Sequence, residues 1–483
     1  MTASTAAQPR TITLAAVQAH AHELLAVSAT IKHEEVFQRI LDRLEPINFR
    51  KEANLENDEK LNQKHYAVVA VEKIVAAAQA INAGICRNLD FVYVFNGQYW
   101  RQVEADELAK FLGEAAEKLG VERITARYFL FRDALLKQFR ATAYLPTPRR
   151  QEGVTLLNCA NGTFEITTTG QRLREFRRAD FLTYQLPFDY NPQAECPKWN
   201  KFLFEVLPDS DKAREKICAE FIGWCFTTHL KHETVFLPYG GGANGKSVFF
   251  DVMTALLGEN NVSHYSLTSL GHEYNRAKLA NKLLNYASEI SSRLDSEVLK
   301  KLASGEPIEA RLPYGQPFIL TQYAKLAFNC NELPRDVEFT EAYFRRWLIV
   351  PFDVTIEKEK RNPNLAREII AEELPGVFNW VLEGLKRLLA QGKFTECQKV
   401  KDALASYRRE SDSVATFLVD EKWIADPNSR TTLGNLYTDY KSYCSDNGYK
   451  ALGRNKFGKR LELNGIARQD QNQPVFFVRR EGW

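Results

Sequence analysis

The sequence predicts a multidomain chain: an α+β region, then a three-layer α/β domain, then a small helix–helix–wing unit. Three observations carry this. Between Asp90 and Thr167, aromatic and alternating runs are broken by Asn96-Gly97 and Asn161-Gly162, the mark of hairpins, with amphipathic helical stretches between them. From Glu233 to about Phe352 apolar strands alternate with helices, the pattern of a sheet covered on both faces. The last stretch, 430–483, changes character and turns basic.

Length and composition bound the rest. At roughly 100–200 residues per domain, 483 residues allow about three or four domains. Hydrophobic residues at 45% and aromatics at 12% build packed cores and exclude a mainly disordered chain. A net charge of +3 excludes a histone-like basic coat but hides any local asymmetry. The eight cysteines are scattered: the nearest two, Cys218 and Cys225, are seven apart, too far for a zinc ribbon or redox dithiol. This pattern reads as a reduced, intracellular protein. The start MTASTAAQPR has no apolar signal region, and no run of about 18 apolar residues follows, so the expectation is a soluble, cytoplasmic chain with no membrane partner.

In chain order, residues 1–85 read as a polar helical region, with helical spacing in Leu14–Val27 and Val68–Ile81 and a loop at Lys51–Lys64. Residues 86–196 form the α+β domain: the Phe91–Trp100 hairpin, helices Glu104–Leu119 and Ala126–Phe139, and a second hairpin in Val154–Thr167. Pro192 and Pro197 mark its end. Residues 197–395 are the three-layer α/β domain with a helical lead-in, and 396–483 the terminal unit.

The sharpest motif lies in Thr234–Gly258: a β-branched and aromatic strand, a glycine-dense turn, then an amphipathic helix. Gly240-Gly241-Gly242-Ala243-Asn244-Gly245-Lys246-Ser247 fits GxxxxGK[ST] in full. Glycines let backbone N–H groups converge on phosphate oxygens at a helix N-terminus. Lys246 then reaches the terminal phosphates and Ser247 coordinates Mg²⁺. The expectation is a P-loop that binds a nucleoside triphosphate.

Two strand ends follow. Lys282–Ser291 reads as a buried strand ending at Glu289, a carboxylate placed to hold Mg²⁺ or orient water. Ala324–Pro334 is an apolar strand ending at Asn331, an amide suited to sensing the γ-phosphate. Arg345 and Arg346 stand just before another apolar strand, either as a solvated edge or as an arginine finger for a neighbouring subunit.

With these residues the sequence resembles the superfamily III helicases, specifically the helicase part of the phage/plasmid primase-helicase family and its poxvirus relatives. The resemblance covers much of 90–483. It rests on CPKWNKFL (Cys196–Leu203), GGGANGKS, Ser288-Glu289-Ile290, the Ser304-Gly305-Glu306 motif, NCNELP and the Arg345-Arg346-Trp347 run. It implies an AAA+-like ATPase using ATP and Mg²⁺, with Lys246, Glu289, Asn331 and Arg345 or Arg346 catalytic, and Ser247 and Glu289 on the metal. It further implies an N-terminal collar and a hexameric homo-oligomer ring moving on single-stranded DNA. A channel hairpin follows the third motif in this family, and Lys300, Lys301, Arg311 and Tyr314 are the candidates to touch DNA. Many superfamily members carry two acids at the second motif, whereas this chain has Ser288-Glu289. No primase activity is expected, because the sole DxD, Asp209-Ser210-Asp211, sits in a polar turn.

Residues 430–483 hold ten Lys+Arg against five Asp+Glu, so the charge concentrates here. Leu433, Leu436, Tyr437, Tyr440, Tyr443 and Cys444 share a helical face. A second helix, about Arg454–Leu463, buries Phe457 and Leu461 and exposes Lys456, Lys459 and Arg460, and Pro474–Arg480 supplies a wing. This is the pattern of a winged helix that binds DNA through Arg454, Lys456, Lys459 and Arg460, set against a basic cap that only packs on the motor. His229 and His232 have HxxH spacing without a third ligand and read as loop residues. The functional expectation is a DNA helicase of a mobile element, acting on single-stranded and duplex DNA, with a separate primase or replication protein as a possible partner. The rival reading is an ATP-gated origin-binding or loading platform that does not unwind processively.

Overall fold

In the computed structural model, the described residues are 31–56, 58–146, 153–167, 170–288, 290, 296–313, 315–334, 339–470 and 474–481. The helical spacing expected before residue 31, including Leu14–Val27, lies outside them, as do Glu289 and Tyr314. The chain is a mixed α/β, multidomain protein that divides into two compact units, up to Gln185 and from Leu186.

The first unit packs helices α1 (His33–Asp42), α2 (Phe49–Glu52), α3 (Gln63–Ala80), α4 (Ala105–Leu119), α5 (Arg123–Arg127) and α6 (Phe129–Thr142) with two antiparallel sheets. One sheet is β1 (Gly84–Asn88), β2 (Phe91–Phe95) and β3 (Trp100–Val103); the other is β4 (Thr155–Cys159), β5 (Gly162–Thr167) and β6 (Gly170–Arg174). The β2–β3 turn forms at Asn96-Gly97 because the Asn96 side chain accepts from the Gln98 and Tyr99 N–H groups, both at 3.0 Å. Val36, Ile40, Ile74, Leu112 and Leu135 share one core with Val92 and Val94, so α1 and α3 are built into the same unit as the hairpins.

The second unit opens with helices α7 (Pro197–Val206) and α8 (Ala213–Cys225). Its centre is a wholly parallel sheet in the order β13-β7-β12-β9-β8. These strands are β7 (Val235–Tyr239), β8 (Val262–Ser263), β9 (Leu284–Ala287), β12 (Lys325–Phe328) and β13 (Trp347–Pro351). Between them run α9 (Lys246–Leu257), α10 (Glu273–Ala277), α11 (Ser296–Ser304), the antiparallel hairpin β10 (Ile308–Arg311) and β11 (Pro317–Leu320), and α12 (Glu341–Phe344). The sheet carries buried runs such as Val235–Phe236–Leu237, as a strand covered on both faces must. Helices α13 (Leu365–Glu372), α14 (Leu374–Gln391) and α15 (Gln398–Glu410) follow.

The chain then enters a small α/β portion: α16 (Ser413–Asp420), β14 (Trp423–Ala425), β15 (Thr431–Thr432), α17 (Leu433–Asp446), α18 (Arg454–Leu463), β16 (Arg468–Gln469), β17 (Val475–Phe476) and β18 (Val478–Arg480). Leu433, Leu436, Tyr440, Tyr443 and Cys444 of α17 meet Phe457 and Leu461 of α18 in one core, closed by Phe476 and Val478 and by Val414 and Phe417 of α16. Three short antiparallel strands, β15-β17-β16, lie behind the two helices. Among the described residues, no helix is long and apolar enough to cross a membrane.

Candidate functional site

In an open parallel sheet, the crevice beyond the strand C-termini opens where consecutive connections run to opposite sides. Here that point is β7, flanked by β12 and β13, and the glycine-dense loop leaves its C-terminal end. The loop turns through left-handed backbone, with φ of 157° at Gly240, 39° at Gly242, 53° at Ala243 and 85° at Gly245. A Cβ on Gly240 would stand 2.2 Å from the Phe352 carbonyl oxygen and 2.5 Å from Asn244 Nδ2, so only glycine fits there.

The loop is pinned from the end of β13. Asn244 Nδ2 donates to the Phe352 carbonyl at 3.0 Å, Phe352 N–H to the Tyr239 carbonyl at 2.7 Å, and Ile356 N–H to the Ala243 carbonyl at 2.8 Å. Arg214 of α8 holds the same corner, donating to the Pro351 carbonyl at 2.5 Å and to Asp353 Oδ1 and Asp209 at 2.7 Å. Asp209 of the DxD turn is therefore engaged by Arg214, and by Lys399 at 3.0 Å.

Helix α9 starts at Lys246, with Gly245 at its N-cap making no side-chain bond. Its first N–H groups and the positive end of its dipole are free to meet an anion. Lys246 is only 5% exposed. Its ammonium donates to the Gly240 carbonyl at 2.5 Å, to Asn244 Oδ1 at 3.0 Å and to Asn331 Oδ1 at 3.3 Å. All three acceptors are neutral, and among the described residues no carboxylate pairs with it. Burial accordingly pulls its pKa below the usual lysine value.

Asn331, three residues beyond β12, is thus brought to Lys246 across 85 positions of sequence. Ser247 is exposed at the head of α9. Lys246, Ser247, Ser288 and Asn331 line one cavity of about 710 Å³. Glu289 follows Ser288 but lies outside the described residues. The tips of β9 and β12 are tied by Asn329 Nδ2 donating to Tyr286 Oη at 2.7 Å, and Tyr286 stacks on Phe250 of α9 at 3.7 Å.

Arg345 and Arg346 lie at the opposite end of the strands, just before β13, the neighbour of β7. Trp347 pairs with Val235 and Pro351 with Tyr239, so the arginines sit at the N-terminal end of β13 while the glycine loop leaves the C-terminal end of β7. At ~3.3 Å per residue, the offset is about 15 Å. Arg346 is buried, donating to Ser304 Oγ at 2.9 Å and to the Ala342 carbonyl. Arg345 leaves 54% of its side chain exposed and pairs with Glu233 at 2.6 Å.

The proposed DNA-contact residues are scattered. Lys301 on α11 pairs with Glu297 at 2.7 Å, and Lys300 is beside it. Arg311 closes the β10–β11 hairpin by donating to the Gly315 carbonyl at 2.9 Å; Tyr314 lies outside the described residues. Arg454, Lys456 and Lys459 are exposed on α18. Arg460, expected to be exposed, is instead turned inward. Its side chain is 15% exposed, pairs with Asp412 at 3.5 Å and lies 3.6 Å from the centre of the Phe339 ring. Helical spacing identifies the face toward a helix's own core but not a second partner 121 residues earlier in the chain.

Sequence reading also missed the opposite wall of the cavity. Lys198, Lys201 and Phe202 of α7 line it together with Ile356 and Arg361. The first three belong to the CPKWNKFL segment, so a signal existed without a role. Glu373 fixes that helix by accepting from the Lys198 and Trp199 N–H groups, both at 3.0 Å.

Residues 239–346 match a family of unknown function (DUF5906), 83–208 match the D5 N terminal like family, and 409–465 the Poxvirus D5 protein-like family. A putative helicase L207/L206 of Acanthamoeba polyphaga mimivirus is 23% identical over 278 residues, 54% of this chain and 28% of that protein. The chain therefore spans less than a third of this relative's length. An A-form apo structure of the NrS-1 C-terminal region has a TM-score of 0.48 at 13% identity, covering 88% of this chain and 100% of that one. A further apo structure of that region has a TM-score of 0.46 at 13% identity, covering 85% and 99%.

Proposed function

With D5-type domains at residues 83–208 and 409–465, the chain belongs to the D5-like primase-helicase family, and we propose that it is an ATP-dependent, superfamily III DNA helicase. It would translocate on single-stranded DNA and unwind duplex during replication of a phage, plasmid or other mobile element.

The observation that carries this reading is Lys246: a buried ammonium, held only by neutral oxygens among the described residues, at the uncapped head of α9. Burying a cation without an anion is costly, and a triphosphate at this position would offset that cost. Gly240–Gly245 form the P-loop, with Lys246 on the terminal phosphates. The cavity of about 710 Å³ lies within the usual range for a small-molecule site. Mg²⁺, when bound, neutralises phosphate charge, and Ser247 and Glu289 are the residues that would hold it. Asn331, whose amide already touches Lys246, takes the role of γ-phosphate sensor.

The arginine pair supports a ring. Lying about 15 Å away along the sheet, Arg345 serves a neighbouring subunit's phosphates better than its own. We read the assembly as a homo-oligomer, a hexamer by family resemblance, in an AAA+-like arrangement. The α17–α18 pair with its short strands is read as a winged helix, with Arg454, Lys456 and Lys459 toward DNA. Lys300, Lys301, Arg311 and Tyr314 are assigned to the channel strand.

Lys246→Ala should abolish ATP hydrolysis while the protein still melts cooperatively. DNA-stimulated turnover persisting in that variant would sink the proposal. A strand-displacement assay on a 3′-tailed fork separates unwinding from loading, since a loader hydrolyses ATP and releases no strand.

A further inference from the structure

We infer that a second cavity, of about 570 Å³ between α18 and the residues preceding α12, takes the phosphate backbone of a single nucleic-acid strand. The inference rests on the DNA-binding reading above and names where on the C-terminal portion a strand is held.

The charge balance of the cavity points to an anionic ligand. Lys450, Lys456, Lys459 and Arg460 line it, with Asp412 as the acid among them. Asp412 is already spent. It pairs with Arg460 at 3.5 Å and accepts from the Val414 and Ala415 N–H groups at 3.1 and 3.2 Å, capping α16. That leaves three exposed lysines with no carboxylate partner among the described residues. Ser411 Oγ, on the same wall, is buried and lacks a well-formed hydrogen bond. Gly453 also lines the cavity, and at the start of α18 it makes no side-chain cap, so N–H groups there are open as well.

The aromatic lining favours a single strand over a duplex. Tyr449 and Phe339 stand half-buried beside the lysines. Cations beside aromatic side chains are how sequence-tolerant sites hold unpaired strands, whose bases are free to stack, whereas the bases of a duplex are already stacked on one another.

The position gives the site a consequence. Phe339 carries Arg460 on its ring at 3.6 Å, and Arg408 lies 5.8 Å from the same ring while pairing with Glu341 at 2.7 Å. Phe344 and Arg345 follow five and six residues after Phe339, so one short segment carries both a wall of the cavity and the arginine pair.

The test uses the full chain and two fluorescent probes, an oligothymidylate and a hairpin duplex, titrated at several salt concentrations. Converting Lys450, Lys456 and Lys459 together to Ala removes three phosphate contacts. At about 0.7 per contact, the slope of log K against log salt for the single strand should fall by about 2, with affinity at low salt down at least ~10-fold. The Lys→Arg counterpart at all three positions should keep the slope, which a folding defect would not allow. An unchanged single-strand slope in the Ala variant overturns the site, as does a loss confined to the duplex. Failure of the unaltered chain to bind either probe would instead count against the DNA-binding reading itself.

Discussion

Arg214 has no exposed surface, yet its guanidinium donates to Asp209, Asp353 and the Pro351 carbonyl, fixing the corner on which the glycine loop rests. Burial pushes the Asp209 carboxyl pKa up, but the hydrogen bonds from Arg214 and Lys399 outweigh it and the net shift is down. A depressed carboxylate stabilises the fold above its unfolded pKa of about 3.9, and that stability is lost as pH falls through the lower folded value. Asp209→Asn leaves a buried cation half-paired and should cost about 3–5 kcal/mol. Urea unfolding at pH 7 reads this, and the gap to the unaltered protein should narrow as the titration is repeated below about pH 4. Local sequence showed Asp209-Ser210-Asp211 to be a turn. It could not show the partner, because Arg214 is buried only once β13 comes to lie against α8.

At the scale of elements, α8 and α14 pack at unusually close range. A Cβ on Gly384 would lie 2.4 Å from the Ala219 carbonyl carbon and 2.5 Å from its Cβ. Alanine gains about 1 kcal/mol over glycine in a helix, while overpacking costs typically 1–3 kcal/mol and more where backbone must move. The clash here is with backbone, so Gly384→Ala should lower the urea midpoint despite its better propensity. A rise in the midpoint would show that the helices separate cheaply. The strands and helices of this region were legible in periodicity, and so was the helix face of α17 that buries Leu436 and Tyr440. The order β13-β7-β12-β9-β8 was not, since strand neighbours are chosen by crossover packing rather than by any local pattern.

At the scale of the whole molecule, the length of the strands separates two charged sites, Lys246 beyond the C-terminal end of β7 and Arg345 before the N-terminal end of β13. If the arginine acts across subunits, Arg345→Ala protein mixed with Lys246→Ala protein should recover part of the ATPase activity that each lacks alone. The recovering interfaces join an intact Lys246 to an intact Arg345. No recovery at any mixing ratio argues that the arginine acts within its own chain. Arg346→Ala is the contrasting variant: its buried bonds to Ser304 and Ala342 make loss of folding the expected result, read by thermal melting.

The glycine loop could be read from eight consecutive residues because its conformation is local: glycine backbone freedom, a strand before and a helix after. The basic C-terminal charge could be read for the same reason, as a property of composition along a short stretch. Three features required the folded chain. Asn331 meets Lys246 because β7 and β12 are adjacent, Arg460 turns inward because Phe339 packs above it, and Arg345 and Arg346 divide into one exposed and one buried side chain. Each depends on contacts between residues far apart in sequence, which spacing and periodicity do not encode.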